Sequence, residues 1–254
     1  MNTPSDMRGK VALITGAGSG LGRGTAIALA KAGAKTFLVD INATGLQETS
    51  VLIQQLDGEC QTYTADLSKI EPCQQSVQLA VETFGRLDAL CNIAGVIMFN
   101  HSTDMPQTDW DKTIAVNLSA PFFLSQAAIP HLLEQNGAIV NVTSCAAYFG
   151  EAYAAAYCAS KAGLMNLTKA MAMEYIHKPL RINAVAPGGM NTNIVSNFVN
   201  MPKDLDASLL ARFKPLRGLV EVEDASNLIA FLASDAARAY HGSCIVIDQG
   251  ITSG

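Results

Sequence analysis

Tyr157 and Lys161 stand four residues apart in an alanine-rich stretch, so on a helix both side chains share one face. Such pairs occur by chance on many helices, but this one can do proton chemistry. A free phenol has a pKa of about 10 and is almost wholly protonated at neutral pH. Lowering it by about 3 units takes roughly 4 kcal/mol of preferential stabilisation of the phenolate. An adjacent ammonium in a partly dry site supplies charge of the right sign. Tyr153 is the rival base, but its partner four residues on is Tyr157, not a lysine, so it reads as a pocket wall. Thirteen residues before Tyr157, Ser144 follows the apolar run IVNVT. A hydroxyl at the C-terminal end of a buried strand faces the crevice where open α/β sheets bind ligands, and can stabilise charge developing on a substrate oxygen. Thr143 is the neighbouring alternative. Asn117, in TIAVNLSAPF, has apolar surroundings that imply burial, and a buried amide needs hydrogen-bond partners.

A second cluster lies near the start of the chain. The run Val11–Ile14 leads directly into Thr15–Gly22, TGAGSGLG. Glycine-rich turns let backbone N–H groups approach a phosphate, and the following helix N-terminus adds partial positive charge. A strand-to-helix turn without a ligand is the competing reading. The general G-x-G-x-x-G fingerprint fits in no register; T-G-x-x-x-G-x-G does, at Thr15, Gly16, Gly20 and Gly22. Asp40 closes the run FLVD, 20 residues past Gly20, where a carboxylate accepts hydrogen bonds from ribose hydroxyls. Otherwise Asp40 caps a strand end.

The elements that must position these residues follow from hydropathy. Strand-like runs are expected at Val11–Ile14, Thr36–Val39, Gln61–Thr64, Ala89–Cys91, Ala138–Val142, Ile182–Val185 and Cys244–Ile247. Between them lie helical stretches such as Leu21–Ala32, Ser68–Phe84, Trp110–Leu133 and Ala154–Ile176. This alternation predicts an α/β fold, a single doubly wound parallel sheet with helices on both faces. One stretch breaks the rhythm. Residues 188–217 carry Pro202 and Pro215 among many apolar side chains, which predicts a substrate lid rather than a passive loop. With Met98 and Phe149 near the expected cleft, it points to a hydrophobic substrate.

The whole chain reads as one domain of 254 residues, 49% hydrophobic and 15% charged. Net charge is −5 with no Lys/Arg cluster, which argues against nucleic-acid binding. No run resembles a membrane span and the N-terminus lacks an apolar signal core. Six scattered cysteines form no C-x-x-C pair, and four histidines are dispersed, so neither a metal site nor a disulfide framework is indicated. The expectation is a cytoplasmic protein.

These motifs, in this order, resemble those of the short-chain dehydrogenase/reductase family over roughly residues 7–252. Asn92-Ile93-Ala94-Gly95 is similar to the family's N-N-A-G, with Ile93 replacing the second asparagine, and Gly85–Asp88 is similar to its approach to that strand. Arg181–Gly188 resembles the strand and turn before the nicotinamide, and Asp248-Gln249-Gly250 the terminal D-G-G, with Gln249 replacing the first glycine.

The resemblance implies a nicotinamide cofactor held by Gly16, Ser19, Gly20, Leu21, Gly22, Asp40, Ile41, Asp66, Leu67, Asn92, Ala94, Gly95, Tyr157, Lys161, Pro187, Gly188, Met190 and Thr192. Asp66 would meet the adenine and Thr192 the carboxamide. Relatives that use NADP carry a basic residue beside the Asp40 position or just before the second motif glycine. Here Ile41 and Ser19 stand there, which implies NAD. The family's pattern favours Ser144 over Thr143 and implies a catalytic set of Asn117, Ser144, Tyr157 and Lys161, with Asn117 helping to hold a water that links the lysine to solvent. Substrate would meet Ser144, Tyr157, Met98 and Tyr153. The implied reaction is reversible oxidation of a secondary alcohol. Tyr157 takes the hydroxyl proton, Lys161 lowers its pKa and anchors the nicotinamide ribose, Ser144 holds the oxygen, and hydride passes to the cofactor. The expected substrate is a hydrophobic alcohol or ketone, a hydroxysteroid or alicyclic alcohol. A 3-oxoacyl-carrier-protein reductase is the alternative, and a non-catalytic NAD-binding sensor a more distant one. A homotetramer is implied by resemblance alone.

Overall fold

The computed structural model describes residues 5–191, 201–202, 204–210 and 217–253. Seven parallel strands form one sheet in the order β3-β2-β1-β4-β5-β6-β7. They are β1 (Val11–Thr15), β2 (Lys35–Asp40), β3 (Cys60–Thr64), β4 (Ala89–Asn92), β5 (Ala138–Val142), β6 (Arg181–Pro187) and β7 (Cys244–Ile247). Every expected strand is present; five of the seven run one to three residues longer than the hydropathy indicates. The helices are α1 (Gly20–Lys31), α2 (Ala43–Gln54), α3 (Ile70–Phe84), α4 (Gln107–Ile114), α5 (Ala120–Glu134), α6 (Ala155–Glu174), the single turn α7 (Ala207–Leu210) and α8 (Val222–Ala233).

β1, β4 and β5 are buried along their whole length because both sheet faces are covered there, whereas the edge strands β3 and β7 are largely half-buried. Along β1, Ala12 and Ile14 pack with α1 and α8, whereas Val11 and Leu13 point to the opposite face with α3 and α5. Leu29, Ile229 and Leu38 anchor the first core; Leu124, Leu132, Val77 and Leu90 anchor the second. All are buried, and each such side chain contributes about 1.5–3 kcal/mol of transfer free energy.

The stretch expected as one helix, Trp110–Leu133, is interrupted. A five-residue π turn, Ala115–Ser119, separates α4 from α5 and carries Asn117. Such turns concentrate at functional sites. Strand order reverses between β1 and β4, so the loops leaving these strands diverge and open a crevice at their C-terminal ends.

Candidate active site

Thr15, the last residue of β1, joins the two halves of that crevice. Its hydroxyl oxygen accepts from Ile93 N at 2.9 Å and Ala94 N at 3.1 Å, fixing the loop after β4 beside the glycine turn. The turn itself tolerates no bulk at Gly22. A Cβ there would lie 2.0 Å from the Gly16 carbonyl oxygen. Ser19 precedes α1 without capping it through its side chain, so the N–H groups of the first turn keep their hydrogen-bonding capacity. Gly16, Ser19, Gly20, Leu21 and Gly22 all line one cleft of about 750 Å³. The sequence-expected residues Asp40, Ile41, Asp66, Leu67, Ala94, Gly95, Pro187, Gly188 and Met190 line it too.

At the adenosine end, Asp40 is locked in place. Its Oδ2 accepts from Gly18 N at 2.9 Å and its Oδ1 from Asn42 N at 2.8 Å. Ile41 beside it is 68% exposed and offers no charge. Asp66 accepts from Ser68 N at 3.0 Å, and hydrogen bonds from Ser68 hold its carboxyl below the usual carboxylate range. Asn92 departs from expectation. Its side chain turns away from the cleft, donating to Asn141 Oδ1 at 2.9 Å, while Asn141 donates to Thr168 Oγ1 at 2.9 Å. It therefore ties β4 through β5 to α6 instead of presenting its amide to a ligand.

The same cleft runs on past Ser144, Tyr157 and Lys161. Lys161 is buried and donates to the Val142 carbonyl at 2.8 Å, and its ammonium lies 5.7 Å from the centre of the Tyr157 ring. Burial pushes the lysine down to about 8. Burial also pushes the Tyr157 hydroxyl above the usual phenol range, while a hydrogen bond with Ser144 pulls it back. Desolvation is the largest influence on this phenol, so the lysine beside it does not by itself give a low pKa. Of the two candidate hydroxyls, Thr143 donates to Val185 O at 3.0 Å and is committed to the sheet. The Ser144 oxygen accepts from Ala146 N at 3.2 Å and bonds Tyr157. A substrate oxygen between Ser144 and Tyr157 would meet two hydroxyl groups.

Asn117 is buried, and its amide is fully engaged. Oδ1 accepts from Val96 N at 2.8 Å; Nδ2 donates to Val96 O at 2.8 Å and Ser160 Oγ at 3.1 Å. Ser160 in turn donates to Tyr157 O at 2.7 Å, so Asn117 holds both the loop after β4 and the base-bearing turn of α6. A Cβ on Gly95 would lie 3.4 Å from both Asn117 Oδ1 and Lys161 Nζ. Gly95 and Lys161 both line the cleft. Uncapped N–H groups, the anchored Asp40 carboxylate and the Lys161 ammonium along one cleft together fit a nicotinamide dinucleotide.

Met98 and Tyr153 are corrections. Neither lines the cleft; Val96, Ile97 and Phe149 do. Ile97 is buried inward where Met98 was expected, because alternation along the extended chain puts neighbours on opposite sides. Tyr153 is held at φ +67, with its carbonyl accepting from Asn100 N at 2.9 Å and its hydroxyl from Asp206 N at 2.8 Å. It braces the loop behind the cleft wall. Thr192 and much of 188–217 lie outside the described residues, though Met190, Leu210 and Leu219 line the cleft. Sequence reasoning missed Glu151, which also lines it. The available signal was that Glu151 is the only charged residue between Ser144 and Tyr157.

A family model described as enoyl-(acyl carrier protein) reductase matches residues 16–252. The 3-oxoacyl-[acyl-carrier-protein] reductase FabG of Thermotoga maritima is 35% identical, covering 96% of this chain and 98% of that protein. The chain belongs to the short-chain dehydrogenase/reductase family. Another member, cyclohexanol dehydrogenase of an Acinetobacter species, is 36% identical over 96% of this chain and 95% of that protein. Among solved short-chain dehydrogenase/reductase structures, carveol dehydrogenase from Mycobacterium avium in complex with NAD superposes with a TM-score of 0.89, at 29% identity, covering 98% of this chain and 99% of that one. Solved structures of similar fold hold NAD in some cases and NADP in others. The chain is an oxidoreductase of this family.

Proposed function

We propose that this enzyme is an NAD-dependent dehydrogenase interconverting a hydrophobic ring-bearing secondary alcohol and its ketone. The observation that carries the reading is the union, in one cleft, of Ser144, Tyr157 and Lys161 with the apolar wall of Val96, Ile97, Phe149, Met190 and Leu219. When bound, the nicotinamide supplies the redox chemistry and a positive charge beside the phenol. Tyr157 removes the alcohol proton, Ser144 holds the oxygen, and Lys161 holds the ribose and returns the proton balance of Tyr157. Asn117 keeps Lys161 and Tyr157 in register through Val96 and Ser160.

NAD rather than NADP is supported by Asp40, whose fixed carboxylate repels a 2′-phosphate, with no cation at Ile41 or Ser19 to pair with one. The ring-alcohol reading draws on the cyclohexanol and carveol dehydrogenases among the relatives. Leu210 and Leu219 support a lid over the substrate end. A homotetramer through α5 and α6 is supported by Phe122 and Met173, exposed on those helices, and is tested by sedimentation. Cytoplasmic location is part of the same reading.

The test is NADH formation across hydroxysteroids, alicyclic alcohols and 3-hydroxyacyl thioesters, with Tyr157→Phe alongside and NADP offered in parallel. Turnover of a ring alcohol with NAD, lost in the variant, supports the reading. Turnover confined to thioesters overturns it.

A further inference from the structure

Glu151 is an acid set into the chemical end of the cleft. Its backbone is fastened to the first turn of α6: Glu151 N donates to Cys158 Sγ at 3.2 Å, and its carbonyl accepts from Ala154 N at 3.2 Å. The helix that fixes Tyr157 therefore also fixes Glu151. The carboxyl shares the cleft with Ser144, Phe149 and Tyr157, and its charge is felt at Tyr157, Cys145 and Cys158. Among the described residues it has no hydrogen-bond or ion-pair partner, and burial alone pushes it up to about 7. The residue is half-buried, so its carboxyl faces the cleft with room for a polar group of a substrate, and a partly desolvated carboxyl gains from such a partner.

We propose that Glu151 determines specificity by hydrogen-bonding a second, neutral hydroxyl of the substrate, so that the cleft takes a ring diol in preference to a simple ring alcohol. The inference rests on the ring-alcohol dehydrogenase reading above. A hydroxyl is the group that suits this carboxyl in either protonation state, since it donates to the carboxylate and accepts from the acid. An anionic substituent is repelled by the carboxylate. A cationic one is disfavoured by Lys161, whose ammonium lies in the same end of the cleft. The apolar side chains of Val96, Ile97 and Phe149 elsewhere in the cleft suit the remainder of the ring. A site built to bond a hydroxyl discriminates strongly against the analogue lacking it, because the protein's own polar group is then left unpaired.

Initial rates of NAD reduction with cyclohexanol and with the cyclohexane-1,2-, 1,3- and 1,4-diols, for wild type, Glu151→Gln and Glu151→Leu, test this. In the wild type, at least one diol exceeds cyclohexanol in kcat/KM by about tenfold or more. Glu151→Leu collapses that ratio by about tenfold, mainly through KM for the diol, whereas Glu151→Gln, which still bonds a hydroxyl, keeps most of it. The diol KM of the wild type changes through about pH 7, where Glu151 titrates among Cys145, Tyr157 and Cys158, and that change is absent in Glu151→Gln. A merely structural glutamate would lower both substrates' rates equally and leave the ratio intact, which overturns the inference. Wild-type turnover of cyclohexanol with every diol at parity overturns it while sparing the ring-alcohol reading. Silence toward cyclohexanol and diols alike, with thioesters turned over, overturns both.

Discussion

The Lys161 ammonium lies 5.7 Å from the centre of the Tyr157 ring while donating a 2.8 Å hydrogen bond to Val142. The lysine is thus fixed by the sheet, not by the tyrosine it serves. Among the described residues no carboxylate pairs with its charge, and burial holds its pKa near 8 against an ordinary 10.5. Because the folded value is the lower one, the unfolded chain binds more protons between those limits, and stability rises with pH from about 8 to about 10.5. Below pH 8 the charged lysine is a full burden on the fold. Lys161→Met is therefore expected to lower kcat/KM by about 10²–10⁴ while leaving Tm at pH 7 equal to or above wild type. Its Tm advantage shrinks as pH climbs toward 10. Scanning calorimetry from pH 6 to 10 checks this; a variant several degrees less stable at pH 7 would refute it.

Cofactor choice turns on a carboxylate with two local duties. Asp40 accepts from Gly18 N and Asn42 N, so its removal releases two N–H donors at the spot where a 2′-phosphate would sit. Asp40→Ala combined with Ile41→Arg supplies a cation as well. The kcat/KM ratio of NADP to NAD is expected to rise by about 100-fold or more, equivalent to about 2.7 kcal/mol. Asp40→Ala alone shifts the ratio in the same direction but less far. A double variant still confined to NAD would show that selectivity lies elsewhere in the cleft.

Much of this was legible in the chain. The inner strands could be read because most of their length is buried on two faces and largely apolar; the edge strands β3 and β7, only half-buried, are marked instead by β-branched and aromatic residues. The glycine turn, Asp40, Tyr157 and Lys161 stand out by residue type and spacing, and Ser144 over Thr143 by family resemblance; the fold brings all of them to one cleft. What failed was of another kind. The π turn at Asn117 is invisible to a periodicity of 3.6, since it arises where the Asn117 side chain reaches Val96 and Ser160 from distant segments. Composition marks Met98 as a candidate for the substrate wall, but only the fold shows that Ile97 is the buried residue lining the cleft. Asn92 carries a motif residue whose work lies behind the cleft, with Asn141, and only the fold reveals that direction. Glu151 sits in a loop without periodicity, and its one mark is being the sole charge between Ser144 and Tyr157.

Asn117 offers a further check because its side chain is buried and makes three hydrogen bonds. Asn117→Ala leaves Val96 N and O without partners and releases Ser160. The expected loss is about 2–4 kcal/mol of folding stability, together with a fall in kcat as the Tyr157 turn loosens. Urea unfolding at constant m-value measures the first, and steady-state rates the second. Full activity and unchanged stability would remove Asn117 from any positioning role.

The departure at the C-terminal D-Q-G leads to a gain rather than a loss. Asp248 folds the chain tightly after β7, accepting from Gly250 N at 2.9 Å and Thr252 N at 2.7 Å. That turn forces Gln249 to φ +57, the left-handed region. A side chain there costs about 1–2 kcal/mol, whereas glycine enters it freely. Glycine also has more unfolded-state freedom to lose, which returns about 0.4–1 kcal/mol of the advantage. Gln249→Gly is thus expected to stabilise the protein by about 0.5–1 kcal/mol, read as a higher urea midpoint. Ile251 lines the cleft just beyond this turn, so a stiffer or looser terminus is also read in KM for the ring alcohol. A lower urea midpoint would mean that the Gln249 side chain makes a contact, within the subunit or between subunits, worth more than the strain it imposes.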